Sequence, residues 1–89
     1  MELQLTAVLR KEDVGGYSSV CPELEVASQG ETVDEAIENL KEATELYLEG
    51  AKELGVLNEK LSEAGIEIKE GCVRKSPVLT TPIHAVMPA

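Results

Sequence analysis

The chain has 89 residues, which suffices for one domain, residues 1–89, and leaves no room for a second hydrophobic core. Its two tyrosines are its only aromatic residues, so we expect a thin aliphatic core that gains stability from homo-oligomerisation. The formal charge of −9 disfavours nucleic acid and anionic membranes as partners. The charge suits a basic protein partner, although a solvated acidic surface is the more frequent explanation.

Cysteine content and hydropathy indicate the compartment. Cys21 and Cys72 are too few for a disulfide framework. No stretch approaches the ~20 apolar residues that a membrane span requires, and the N-terminal residues do not resemble a signal peptide. We therefore expect a cytoplasmic protein with reduced thiols and no membrane association.

Three strands are predicted before the first helix. Residues 2–10 alternate between apolar and polar side chains, which predicts a half-buried strand. Residues 11–16 are polar and end in two glycines, as a hairpin loop does. Residues 17–21 form the second predicted strand, which Pro22 ends, and residues 25–28 form the third.

A long helix is the clearest element of the sequence. Thr32 and Glu35 have the spacing of a capping box, in which each side chain bonds the other residue's backbone N–H. Apolar residues then recur at intervals of three and four until Leu54, and Gly55 is a suitable left-handed cap. Asn58 is predicted to cap a short second helix over residues 58–64.

Alternating apolar residues return in the C-terminal segment. Leu79, Ile83, Ala85 and Met87 fall on one face of residues 78–87, which predicts a final strand. Pro82 lacks a backbone donor and places that strand at a sheet edge. The predicted fold is therefore α+β, a βββαβ two-layer sandwich in which a sheet and one helical layer bury each other's apolar faces.

Leu46, Tyr47 and Leu48 are consecutive in the long helix, so their side chains point in directions ~100° apart. One sheet cannot cover all three side chains. Either the short second helix folds over them, or they form an interface with a second copy of the chain.

Residues able to carry catalysis are sparse. Cys21 is a candidate nucleophile with His84 as its base, but a cysteine in a strand is usually a small core residue. The two cysteines and one histidine are scattered, whereas a structural zinc site needs four ligands. Carboxylates fall mainly at strand ends and on the helix. We therefore expect no catalytic residue, metal or cofactor; a small enzyme using Cys21 or a carboxylate cluster is the rival hypothesis.

Several segments together resemble the HicB-like antitoxin family. Residues 16–24, GYSSVCPEL, are similar to its hairpin and Pro-Glu-Leu segment. Residues 28–36, SQGETVDEA, resemble its Ser-x-Gly-x-Thr-x-x-Glu-Ala helix entry, and residues 39–43 and 46–49 resemble the helix that follows. The resemblance covers roughly residues 3–50, and residues 78–87 fit the family's last strand more loosely.

The resemblance implies a partly formed ribonuclease-H-like fold without catalytic residues. HicB proteins bind HicA, a small basic toxin that cleaves mRNA, and block its active surface. They commonly form homo-oligomers, and many carry a C-terminal DNA-binding domain. No such pattern follows Gly71 here, so we do not expect direct DNA binding.

The sequence thus predicts a HicB-like antitoxin that neutralises a HicA-like toxin by protein–protein contact. The alternative is an orphan HicB-like homo-oligomer without a toxin. The partner-binding candidates are acidic residues near the hairpin and strand ends: Glu12, Asp13, Glu23 and Glu25. The competing candidates lie on the helix, Glu38 and Glu42.

Overall fold

Three antiparallel strands open the fold in the computed structural model, which describes residues 2–76 and 79–89. They are β1 (Val8–Lys11), β2 (Tyr17–Cys21) and β3 (Val26–Gly30), in the spatial order β1-β2-β3. The first strand begins later than the alternation over residues 2–10 predicts. Val8 pairs with Val20, so earlier residues would have to pair with the turn that follows Cys21.

Helix α1 (Val33–Glu53) follows the sheet, and Thr32 and Gly55 cap its ends as predicted; of the capping box, the structure has only the bond to Thr32 Oγ1 among the described residues. The backbone N–H of Glu35 donates to Thr32 Oγ1 at 3.1 Å, which confirms Thr32 as the N-cap. At the other end Gly55 has φ +74°. The N–H groups of Gly55 and Val56 donate to the carbonyls of Lys52 and Ala51 at 3.1 and 2.9 Å, which is a Schellman motif.

A second helix and a hairpin follow. Helix α2 (Leu57–Glu63) begins with Val56 at its cap position, so the prediction that Asn58 caps it is wrong. Strands β4 (Ile66–Lys69) and β5 (Cys72–Lys75) form a separate antiparallel pair. Their two-residue turn, Glu70-Gly71, has positive φ at both positions, 51° and 78°, as a type I′ turn requires.

The predicted final strand over residues 78–87 is wrong for the part that the structure describes. Val78 lies outside the described residues, and residues 79–89 have no regular secondary structure. Alternation produces a strand only where another backbone completes its hydrogen bonds, and no strand in the described part of this chain pairs with the segment. The α+β class is confirmed, with the hairpin β4–β5 in place of one final strand.

The core lies between α1 and one face of the sheet. Helix α1 packs on β3 and β2, whereas β1 has no buried residue. A Cβ on Gly30 would lie 2.5 Å from the backbone nitrogen of Ala36, so only glycine allows the helix this close to the sheet. Ser19, fully buried in β2, donates from Oγ to the carbonyl oxygen of Ala36 at 2.9 Å. Cys21, Leu24 and Leu40 fill the centre.

Candidate functional site

The four acidic residues predicted to bind a partner lie at two different ends of the sheet. Glu12 and Asp13 are in the connection from β1 to β2, and Glu23 and Glu25 are in the connection from β2 to β3. The intervening strand, β2, holds the two pairs roughly 15 Å apart at the usual rise per residue. The four residues therefore form two separate pairs and not one site.

The half-buried Glu23 is held by contacts within its own chain. Its carboxylate accepts from the backbone N–H of Thr6 at 3.1 Å and from Thr6 Oγ1 at 2.8 Å. Lys75 Nζ lies 3.8 Å from the same carboxylate and also donates to the carbonyl oxygen of Gln4. The Glu23 side chain is only 10% exposed, so it ties the N-terminal segment to the hairpin β4–β5 and offers little to a partner.

The ionisation of this cluster follows from its contacts. Burial by itself would raise the pKa of Glu23, but the hydrogen bonds from Thr6, from its own backbone N–H and from the Cys21 thiol together lower that pKa below its ordinary value. Burial raises the pKa of the neighbouring Cys21 thiol, which donates to Glu23 Oε1 at 3.5 Å. A negative carboxylate beside a thiol opposes formation of the thiolate.

Cys21 therefore has the properties of a core residue. It is 1% exposed, and its raised pKa keeps the thiol protonated, whereas a nucleophilic cysteine needs an accessible thiolate. The proposed base, His84, lies in the exposed segment 79–89. These observations weigh against the hypothesis that Cys21 acts as a nucleophile.

The outer face of α1 carries an exposed acidic surface. Its carboxylates recur at helical spacing, are exposed, and are absent from the ion pairs of the described residues. They are Glu38, Glu42, Glu45 and Glu49. Leu46, 67% exposed, lies in a shallow depression that it shares with Glu42, Glu45 and Glu49. We call these five residues the acidic helix face.

The three consecutive apolar residues of α1 have separate environments. Tyr47 and Leu48 pack against the core, and Tyr47 also lines a depression with Lys60 and Glu63 of helix α2. Leu46 remains uncovered. Intramolecular packing thus accounts for two of the three residues, and an interface at this position remains a prediction.

An open groove of about 570 Å³ separates the N-terminal segment from α1. Leu3 and Leu5 form one wall, and Ile37 and Leu48 form the flank of the helix that overhangs it. Lys41 and Glu45 stand at the rim among the lining residues.

Neither a cluster of metal ligands nor a membrane-spanning helix is present in the part of the chain that the structure describes. No three side chains among His, Cys, Asp and Glu are grouped closely enough there to hold a metal ion. No helix in residues 2–76 and 79–89 combines the length and apolar character needed to cross a membrane.

Comparison with known proteins gives two relatives from Synechocystis sp. (strain ATCC 27184 / PCC 6803 / Kazusa). The UPF0150 protein ssr1765 is 53% identical over 45 residues, which are 49% of this chain and 57% of that protein. The UPF0150 protein ssl0738 is 42% identical over 50 residues, 55% of this chain and 69% of that protein. The chain belongs to the UPF0150 family. No protein-family model and no solved structure matches it.

Some residues of this UPF0150 chain have roles that its sequence did not indicate. Lys75 and Thr6 hold Glu23 from positions far away in the sequence, and no local pattern signals such contacts. The groove was also missed, because its two walls come from different elements. One signal was available: Gly71 lies between two short stretches that alternate apolar and polar residues, and glycine supplies the positive φ that a hairpin turn needs.

Proposed function

We propose that this UPF0150 chain is a HicB-like antitoxin of the cytoplasm, with the partly formed ribonuclease-H-like fold of that family. It binds a small basic mRNA-cleaving toxin through protein–protein contact and uses no cofactor. The observation that carries the proposal is the acidic helix face, an exposed surface of four carboxylates, three of which share a depression with the exposed Leu46. The resemblance of residues 3–50 to HicB proteins supports it.

The acidic helix face suits a basic partner better than the hairpin ends do. Its carboxylates belong to one rigid helix, so their fields add over a single patch. The hairpin pairs are separated by β2, and Glu23 is already engaged with Thr6 and Lys75. Leu46 supplies an apolar contact of the kind that holds the centre of an interface, while the carboxylates form a polar rim.

The resemblance segments have structural roles that fit this reading. Gly30 and Thr32 position the start of α1 on the sheet, and Asn39 Nδ2 donates to the carbonyl oxygen of Gln29 at 2.8 Å. These residues of the shared motif therefore contribute to the scaffold of the fold. A binding protein requires such a scaffold, and its specificity lies in the exposed residues.

Co-expression with the product of the adjacent gene tests the proposal. We expect that a short basic product arrests growth when expressed alone, and that this chain restores growth and co-purifies with it. A harmless neighbour that forms no complex at low salt would contradict the antitoxin role and favour an orphan homo-oligomer.

Two charge-matched variants test the binding surface. Glu42→Gln/Glu49→Gln and Glu12→Gln/Asp13→Asn each remove two negative charges, from the helix and from the β1–β2 turn respectively. We expect the helix variant to slow toxin association about tenfold and the turn variant to leave it nearly unchanged. Equal effects of the two variants would show that net charge, and not the helix face, guides association.

A further inference from the structure

The N-terminal segment, residues 2–7, lies against the core without belonging to the sheet. In the described part of the chain no strand pairs with it, and its backbone forms no hydrogen bond with another backbone group. Leu5 packs against the buried cluster of Cys21, Leu24 and Leu40. Apart from this apolar contact, the attachment of the segment depends on a few side chains.

Two side chains from elsewhere in the chain hold the segment through hydrogen bonds. The carboxylate of Glu23 accepts from the backbone N–H of Thr6 at 3.1 Å and from Thr6 Oγ1 at 2.8 Å. The ammonium group of Lys75 donates to the carbonyl oxygen of Gln4 and lies 3.8 Å from the Glu23 carboxylate. Because Lys75 contacts both the segment and the carboxylate that anchors it, loss of this one cation weakens both attachments.

The hairpin β4–β5 fixes the position of that ammonium group. Lys75 is the last residue of β5 and pairs with Ile66, which is 2% exposed. Next to it, the N–H of Ser76 donates to the carbonyl oxygen of Gly65 at 2.8 Å. A displacement of the hairpin therefore carries Lys75 away from the N-terminal segment and from its carboxylate anchor.

The N-terminal segment forms part of the cover of Cys21. This side chain is 1% exposed and lines the groove together with Leu5 and Thr6. Its thiol donates to Glu23 Oε1 at 3.5 Å, the oxygen that also accepts from the backbone N–H of Thr6. Release of the segment would open the groove beside Cys21, while β2, β3 and α1 keep their own hydrogen bonds. Segments with few buried contacts and exposed hydrogen bonds open at the lowest free energies.

We propose that Thr6, Glu23 and Lys75 form a latch through which the hairpin β4–β5 controls the opening of the N-terminal segment. With the latch closed, the segment covers Cys21. When the hairpin moves and Lys75 withdraws, the segment detaches as a unit, and the groove extends to Cys21 without unfolding of the sheet or of α1. The latch concerns the chain alone and is independent of the proposed function.

The reactivity of the Cys21 thiol in the wild-type chain reports the opening. A small alkylating reagent in excess, followed by peptide mass spectrometry, gives the labelling rate of Cys21 relative to that of the exposed Cys72 in the same sample. Opening of one short segment exposes little surface, so about 1 M urea should change this ratio less than about twofold. Labelling through global unfolding would instead rise about fivefold or more, because the whole core is then exposed. The measurement requires no substitution.

Two variants test the latch, with a matched control. Thr6→Val and Lys75→Met each remove one donor of the latch, and circular dichroism would verify that they fold. We expect each to accelerate native labelling of Cys21 at least about fivefold, because hydrogen bonds that involve a charged group are lost. Lys69→Met removes the same charge from the same hairpin, but Lys69 contacts Glu67 in an exposed ion pair, so the rate should stay within about twofold.

A shared latch requires that the effects of its members are not additive. In a Glu23→Gln background, Lys75→Met should accelerate labelling by less than about a further twofold, because the carboxylate that the ammonium group supports has already lost its charge.

Three results would overturn the proposal. Labelling of wild-type Cys21 that follows global unfolding at every urea concentration would show that the segment does not open separately. Absence of acceleration in Thr6→Val and Lys75→Met, or equal acceleration by Lys69→Met, would show that these contacts do not control the opening. An undiminished effect of Lys75→Met in the Glu23→Gln background would separate the two residues and remove the coupling between the hairpin and the segment.

Discussion

Glu23 joins three parts of the chain that are distant in sequence: the N-terminal segment, the β2–β3 turn and the hairpin β4–β5. Its carboxylate accepts hydrogen bonds from Thr6 and lies 3.8 Å from Lys75 Nζ. Glu23→Gln keeps the shape but removes the charge. We expect it to lower the free energy of unfolding by about 1–2 kcal/mol at neutral pH, measured by urea denaturation, because hydrogen bonds to charged groups are the stronger kind.

The same carboxylate gives stability a defined pH dependence. The folded pKa of Glu23 is lowered, so its stabilisation is complete above the unfolded value of about 4.3 and is lost as pH falls through the folded pKa. The stability difference between wild type and Glu23→Gln should therefore shrink on acidification. Glu25→Gln, at an exposed neighbouring carboxylate, is the control and should have little effect. A constant difference down to pH 3 would contradict the assignment, since about pH 3 lies below the unfolded value.

The two thiols should differ in reactivity. Cys72 is exposed, whereas Cys21 is 1% exposed and its pKa is raised by burial. Under native conditions we expect a maleimide to modify Cys21 at least about tenfold more slowly than Cys72. Peptide mass spectrometry would follow both sites in one sample, and denatured protein would show their unprotected rates. Fast native labelling of Cys21 would restore the hypothesis of a reactive cysteine.

At the scale of the elements, the N-cap of α1 is the clearest local contribution to stability. Thr32→Ala removes the oxygen that accepts from the N–H of Glu35. We expect a loss of about 1 kcal/mol in the free energy of unfolding. Thr80→Ala, in the exposed C-terminal segment, is the control and should be neutral. If Thr32→Ala has no effect within error, the cap contributes nothing to the folded state.

Two glycines with different surroundings test how closely α1 approaches the sheet. At Gly30 a new Cβ would meet backbone atoms of Glu35 and Ala36 at 2.8 and 2.5 Å, whereas at Gly50 nothing lies within 4 Å. We expect Gly30→Ala to lower the free energy of unfolding by about 1–3 kcal/mol. Gly50→Ala should stabilise it by about 0.5–1 kcal/mol, because alanine is the better helix former. Thermal unfolding of both variants would measure the contrast, and equal shifts would contradict the close packing.

The elements also show what sequence reasoning could achieve. Helix α1 was predictable because its cap, its period and its closing glycine are local and agree with one another. The final strand was not predictable. The alternation of residues 79–87 indicates which side chains share a face, but it supplies no neighbouring strand to pair with. The hairpin β4–β5 was too short for its period to be recognised, although its turn carried a usable signal.

For the candidate sites, too, features with a local sequence pattern were predictable and long-range contacts were not. The sequence identified the acidic residues but could not tell which of them are free. Glu23 is engaged because Lys75, 52 residues later in the chain, comes within 3.8 Å of it, and only the tertiary structure reveals that contact. On the helix, the spacing of Glu38 and Glu42 already placed them on one exposed face. Helical periodicity therefore predicted exposed carboxylates better than a position at a strand end did.

The whole molecule combines a net charge of −9 with an uneven distribution of that charge. Carboxylates occupy the outer face of α1, while the C-terminal segment 79–89 carries no Asp, Glu, Lys or Arg. Binding of a basic partner to the acidic helix face should therefore weaken as salt rises, because salt screens attraction between exposed charges.

Stopped-flow measurements of this chain with the basic product of the adjacent gene would test the salt dependence of binding. The association rate constant should fall at least about tenfold from low to high salt, because long-range attraction mainly accelerates encounter. The dissociation rate constant should change much less, since short-range contacts around Leu46 determine it. Glu42→Gln/Glu49→Gln should flatten the salt dependence, and Leu46→Ala should raise the dissociation rate instead. An association rate indifferent to salt would remove the acidic helix face from the binding mechanism.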